Sequence, residues 1–184
     1  MILFINACVR QGSRTRKLAK GVLSRLDRPY EEVRLDDIKF PAVDESFLSR
    51  RDRLIGEGNL NDPTFALARQ FAGADEIVIA APFWDLSFPA SLKQYFEQIN
   101  VIGITFRYTP EGVSEGLCKA ERLTYVTTAG GDYFPEEFGF GYIRALAQNF
   151  YGIYDVRLVK ATGLDIVGAD EEAILRAAFE EYRL

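Results

Sequence analysis

Apolar positions along the chain follow two different periods. Continuous apolar runs rich in β-branched or aromatic residues occupy residues 2–8, 77–81 and 123–128, with a weaker one at 156–161. Such runs are expected of strands buried on both faces. Between them apolar residues return every three or four positions. This predicts helices over 13–26, where Leu18, Val22 and Leu26 share a face, and over 63–71, 89–99, 142–150 and 169–182. A fifth strand is predicted at 30–35. Strand alternating with helix implies right-handed crossovers, hence an α/β three-layer sandwich: a five-stranded parallel sheet in the order 2-1-3-4-5 with helices on both faces. Two segments stand outside the alternation. Residues 36–61 are charged and helix-permissive; residues 101–117 contain Thr105-Phe106-Arg107-Tyr108 and then turn signals at Pro110 and Gly112. Connections of that length are usually functional or covered by a partner. No repeat, low-complexity tract or linker composition interrupts the chain, so residues 1–184 are expected to form one domain.

Composition narrows the chemistry. At 184 residues with 48% apolar side chains the chain can bury a sizeable core. A net charge of −5 disfavours binding to nucleic acid or to an anionic membrane surface. Histidine is absent, which removes the commonest metal ligand and every Ser-His or Cys-His nucleophile, so no metal site is expected. Cys8 and Cys118 form neither a CxxC pair nor a disulfide framework and read as reduced thiols of a cytoplasmic protein. Residues 1–8 lack the basic flank and length of a signal segment, and the longest apolar stretch, 77–84, is far shorter than the roughly 20 residues that span a bilayer.

In an open parallel sheet, ligands bind beyond the carboxyl ends of the strands, where the strand order reverses. The loops after strands one, three and four are therefore the candidates. The first, Cys8-Val9-Arg10-Gln11-Gly12-Ser13-Arg14-Thr15, feeds a helix N-terminus, where unpaired N–H groups, the helix dipole and hydroxyls can surround a phosphate. Arg10, Arg14, Arg16 and Lys17 place four cations in eight positions, against about one from the chain average. Cations in a first turn oppose the dipole and need another reason to be there, although a Ser13 N-cap and a solvated face would also use these residues. The second loop, 81–89, offers Phe83, Trp84 and Leu86 either to a planar ring or to the core beneath. The third carries Thr128-Ala129-Gly130-Gly131, whose paired glycines permit positive φ and close approach to a ligand. No GxGxxG fingerprint or Walker phosphate loop is present.

Together, Cys8-x-Arg10-x-x-Ser13-x-Thr15, the stretch from Ala81-Pro82-Phe83-Trp84-Asp85-Leu86 to Lys93, Thr105-Phe106-Arg107-Tyr108-Thr109 and Thr128-Ala129-Gly130-Gly131 resemble the flavodoxin-like NAD(P)H-dependent FMN oxidoreductases, closest to their azoreductase and quinone reductase branch. The resemblance implies a flavodoxin-like fold. It also implies an FMN whose phosphate sits on Arg10, Ser13, Arg14 and Thr15, with Cys8 alongside. The ring would lie against Pro82 to Leu86 and Thr128 to Gly131, near Tyr133, with the N–H groups of Trp84 and Asp85 turned to it. Cys8 stands where such proteins often carry Ser, Asp85 where Asn is common, and Ala129 where Arg is frequent. The implied activity is hydride transfer from NADH or NADPH through the flavin to a quinone, azo compound or similar planar acceptor. The flavin carries that chemistry, so no catalytic side chain is expected. The implied assembly is a homodimer in which Phe106, Tyr108 and Phe150 line the substrate pocket, with Phe106 and Tyr108 expected on alternate faces of an extended segment. The alternatives are a flavodoxin-type FMN electron carrier, disfavoured because the Thr/Ser-x-Thr-Gly-x-Thr phosphate loop is missing, and a flavin-fold regulatory subunit without nicotinamide turnover.

Overall fold

The structure, a computed structural model, describes residues 1–182; the last two positions of the expected 1–184 domain lie outside them. Five parallel strands, β1 (Ile2–Asn6), β2 (Tyr30–Arg34), β3 (Glu76–Ala80), β6 (Arg122–Thr128) and β7 (Asp155–Ala161), form one sheet in the order β2-β1-β3-β6-β7. This is the expected 2-1-3-4-5 order. The remaining two strands, β4 (Phe106–Tyr108) and β5 (Ser114–Gly116), make a separate antiparallel hairpin.

Alternation along the strands divides the core in two. Leu3, Ile5, Ile77, Ile79, Leu123 and Tyr125 face one way and pack with side chains of α3 (Ala66–Gly73), α4 (Ala90–Ile99) and α5 (Phe140–Leu146). Ile2, Phe4, Val78, Ala80, Val126 and Val159 face the other way, against α1 (Arg14–Leu26) and α6 (Glu171–Glu181). β1 and β3 are buried at every position, which is why both read as unbroken apolar runs. In α1, Leu18, Ala19, Val22 and Leu23 supply the buried stripe.

The segments outside the sequence alternation turn out to be structured. Residues 36–61 contain α2 (Glu45–Gly56), N-capped by Asp44, whose carboxylate accepts from the Phe47 N–H at 2.9 Å. α5 continues into a π-helical turn, Ala147–Tyr151, closed by Gly152 at φ 74°. The β4–β5 hairpin docks on that turn. A Cβ on Gly116 would fall 2.1 Å from the Gly152 nitrogen, so no larger residue fits there. Phe106 and Tyr108 do not lie on alternate faces. Strand periodicity puts positions i and i+2 on one side, and their rings meet edge to face with centroids 5.6 Å apart.

Candidate functional site

Each strand delivers its loop to the same end of the sheet through bonds that extend the ladder: Ala7 N–H to the Ala80 carbonyl at 2.8 Å, Ala81 N–H to Val126 at 3.0 Å, Phe83 N–H to Thr128 at 3.0 Å and Ala129 N–H to Ala161 at 2.9 Å. A cavity of about 220 Å³ opens between these loops. Cys8, Arg10, Ser13, Arg14, Thr15, Pro82, Phe83, Trp84, Thr128 and Gly130 line it, and so do Val9, Gly12 and Asp165, which the sequence reading did not single out. Asp85, Leu86, Ala129, Gly131 and Tyr133 lie outside its lining, as do Phe106, Tyr108 and Phe150.

The first loop is set up to meet an anion. Ser13 caps α1 by accepting from the Arg16 N–H at 3.2 Å, and its own hydroxyl, a donor, stands beside the Cys8 thiol. The N–H groups of Arg14 and Thr15, like the Arg10 side chain, have no acceptor among the described residues. No acidic residue stands in the first turn of α1. Thr15 and Thr128 hydroxyl oxygens are 2.6 Å apart, tying the first loop to the third. One hydroxyl of that pair donates to the other, so a second proton is available to another acceptor. Burial pushes the Cys8 thiol above its ordinary pKa, against the opposing influence of Ser13 and Arg16. Cys8 is therefore a neutral thiol in the cavity wall.

Two of the clustered cations are spoken for. Arg16 donates to the Arg10 carbonyl at 2.8 Å and to the Gln11 carbonyl, stapling the loop. Arg14 donates to the Leu164 carbonyl at 3.2 Å and to Asp165 at 2.8 Å. That contact holds the Asp165 carboxyl below its ordinary pKa and raises that of Arg14. Asp165 also packs over Gly130, where a Cβ would come within 2.1 Å of its carboxylate. Gly130 therefore serves by permitting close approach. Neither Gly130 nor Gly131 has positive φ, which corrects the first of the two reasons expected for the pair.

The second loop is a tight hairpin. Trp84 and Ser87 exchange both backbone bonds, at 3.0 and 2.8 Å, and Asp85 and Leu86 between them stand at φ 50° and 67°. These are the marks of a type I′ turn. Here the structure corrects the expected donors. The Trp84 N–H is consumed by the turn, whereas those of Asp85 and Leu86 have no acceptor among the described residues. The Ser87 hydroxyl anchors the hairpin to the Phe138 carbonyl at 2.6 Å. Phe83 meets Phe134 at a tilt, with centroids 4.7 Å apart, and it stays half-buried in the cavity wall, while the aromatic of this loop that packs on the core is Phe88. Trp84 and Leu86 remain 38% and 46% exposed.

The pocket aromatics also divide. Phe106 is buried against Phe150, with centroids 4.6 Å apart, and both fold back onto their own chain. Tyr108 is 52% exposed.

The family of the flavodoxin-like fold matches residues 1–184. Among curated proteins, an FMN-dependent NADH:quinone oxidoreductase 2 of Clostridium acetobutylicum is 38% identical, with 98% of this chain and 94% of the relative aligned. An FMN-dependent NADH:quinone oxidoreductase of Clostridium beijerinckii is 35% identical over the same shares. Among solved structures, an azoreductase of Bacillus anthracis superposes with a TM-score of 0.82 at 25% identity, covering 98% of this chain and 95% of that one. An FMN-dependent NADH-azoreductase of Bacillus anthracis in complex with FMN does so with 0.80 at 27% identity, covering 98% and 94%. With the family match running the whole chain and relatives this similar, the protein belongs to the flavodoxin-like fold family, alongside its quinone reductases and azoreductases.

Proposed function

We propose that the protein is an FMN-dependent oxidoreductase that takes hydride from a nicotinamide and passes it to a quinone, an azo compound or a similar planar acceptor. NADH is the donor named for its relatives. One observation carries this reading: a single cavity gathers N–H groups without acceptors among the described residues, an Arg10 that makes no hydrogen bond among them, and the Ser13 hydroxyl, beside an aromatic hairpin. That donor set fits a ribityl phosphate attached to a flat ring. Arg10, Ser13 and the N–H groups of Arg14 and Thr15 would hold the phosphate. Thr128 and Gly130 would flank the chain leading from it, and Pro82, Phe83 and Trp84 would face the ring. The free Asp85 and Leu86 N–H groups are suited to the polar edge of that ring. Bound FMN supplies the hydride chemistry, and the chain binds, orients and shields.

The cavity is smaller than the roughly 300 to 1,000 Å³ typical of enclosed ligand sites, and Trp84, Leu86 and Tyr133 stand exposed. A homodimer, with each subunit closing the other's ring site, accounts for that. We take residues 1–184 as one cofactor-binding domain acting in the cytoplasm. Two free cysteines support this location; among the described residues no helix is long and apolar enough to cross a membrane.

The test is the visible spectrum of the protein saturated with FMN, followed anaerobically as each nicotinamide is added. A bound flavin bleached by NADH and restored by a quinone is the expected result. A bound flavin that neither nicotinamide bleaches would make the protein a carrier or regulatory subunit.

A further inference from the structure

The loop between β7 and α6 brings a carboxylate to the phosphate end of the cavity, where an anion is least expected. Asp165 lines the cavity and holds Arg14 at 2.8 Å, and Glu171 stands 3.8 Å from the same guanidinium nitrogen. We propose that Asp165 is a counterweight to phosphate binding: it keeps Arg14 occupied and adds a negative charge, so that FMN is held by Arg10, Ser13 and backbone N–H groups and stays exchangeable. This rests on the FMN reading above.

Three observations carry it. Arg14 is the more sheltered arginine of the cavity wall, its side chain 28% exposed, and its guanidinium would be the stronger phosphate ligand if it were free. The loop does not need the carboxylate for its shape. Backbone bonds zip it to the third loop: Asp165 N–H to Gly130 at 2.8 Å, Gly163 N–H to Gly131 at 3.0 Å and Leu164 N–H to Ala129 at 3.3 Å. The absent Cβ at Gly130 leaves the room the carboxylate occupies, and the bond to Arg14 holds it there. One guanidinium cannot serve two anions fully, and a fixed carboxylate beside a phosphate raises the cost of that phosphate.

Asp165→Asn keeps the shape and removes the charge. FMN and riboflavin titrations of wild type and variant, at low and high salt, separate electrostatics from structure. The variant is expected to bind FMN about three- to tenfold more tightly at low salt, with a smaller gain at high salt. Riboflavin, which lacks the phosphate, should bind both proteins equally. Asp165→Asn/Arg14→Gln should bind FMN less tightly than Asp165→Asn, because no freed guanidinium is then left to meet the phosphate. Equal or weaker FMN binding by Asp165→Asn, or an equal gain for riboflavin, overturns the proposal and leaves the flavoprotein reading standing. A wild-type chain that takes up no FMN overturns both.

Discussion

Charge and capping at single residues decide how the site would hold an anion. Arg10 is the cavity cation with no hydrogen bond or ion pair among the described residues, felt only at longer range by Asp165, so Arg10→Ala should weaken FMN binding by the value of a charge-assisted bond, roughly 1.5 to 3 kcal/mol. Adding Ser13→Ala should weaken it further. It also removes the N-cap of α1, at about 1 kcal/mol of stability, so flavin titration needs a denaturation curve beside it. Unchanged affinity in the double variant would remove this loop from the phosphate site. On the proposed FMN placement Asp85 would present the opposite charge near the ring, and a nearby carboxylate opposes uptake of electrons. Asp85→Asn should therefore raise the midpoint potential of the bound flavin in a spectroelectrochemical titration, and a fall would place its carboxylate elsewhere. The cation cluster was legible in the sequence because basic residues in a first turn work against the dipole. Which of them remain free was not. Arg14 finds its partner 151 positions away, in Asp165, and the one sequence hint of that contact is the small residue Gly130 that makes room for it.

Among the elements, the central strands were the most legible part, because β1 and β3, buried on both faces, leave apolar runs that are too short and too rich in β-branched and aromatic residues for a buried helix. α2 escaped because it buries a single residue, Leu54, too little for an apolar stripe. The 84–87 hairpin escaped for a different reason: type I′ turns announce themselves by Asn-Gly or Gly, and here the central residues are Asp85 and Leu86. A branched residue such as Leu86 at φ 67° stores strain of about 1 to 3 kcal/mol. Leu86→Gly should relieve it, less roughly 0.5 to 1 kcal/mol for glycine's extra freedom when unfolded. The expected outcome is a gain of about 1 kcal/mol in urea unfolding of the flavin-free protein. A loss would mean that the Leu86 side chain contributes more by its contacts than it costs in backbone strain.

At the scale of the whole molecule, apolar surface is gathered at the cavity end: Trp84, Leu86, Tyr133 and Phe138 are all exposed, and the Ser87–Phe138 bond ties the hairpin to the Phe138 segment. Patches of this kind mark interfaces more often than idle surface. The β4–β5 hairpin is the second candidate surface. Its inner ring, Phe106, is locked against Phe150, and Gly116 is pressed onto the π-helical turn, so the hairpin is a rigid mount for the outer ring, Tyr108. Sequence alone could not separate the two roles, because aromatics that pack at home and aromatics that reach a partner have the same composition. The division sharpens the dimer prediction to Tyr108, with Phe106 and Phe150 as its support. Light scattering over a dilution series should give a dimer for both wild type and Tyr108→Ala, with the variant changed in the KM for the acceptor while its FMN affinity is retained. A fully active monomer at assay concentration would rule out a shared site. A dimer whose acceptor kinetics ignore Tyr108→Ala would keep the interface and take Tyr108 out of the pocket.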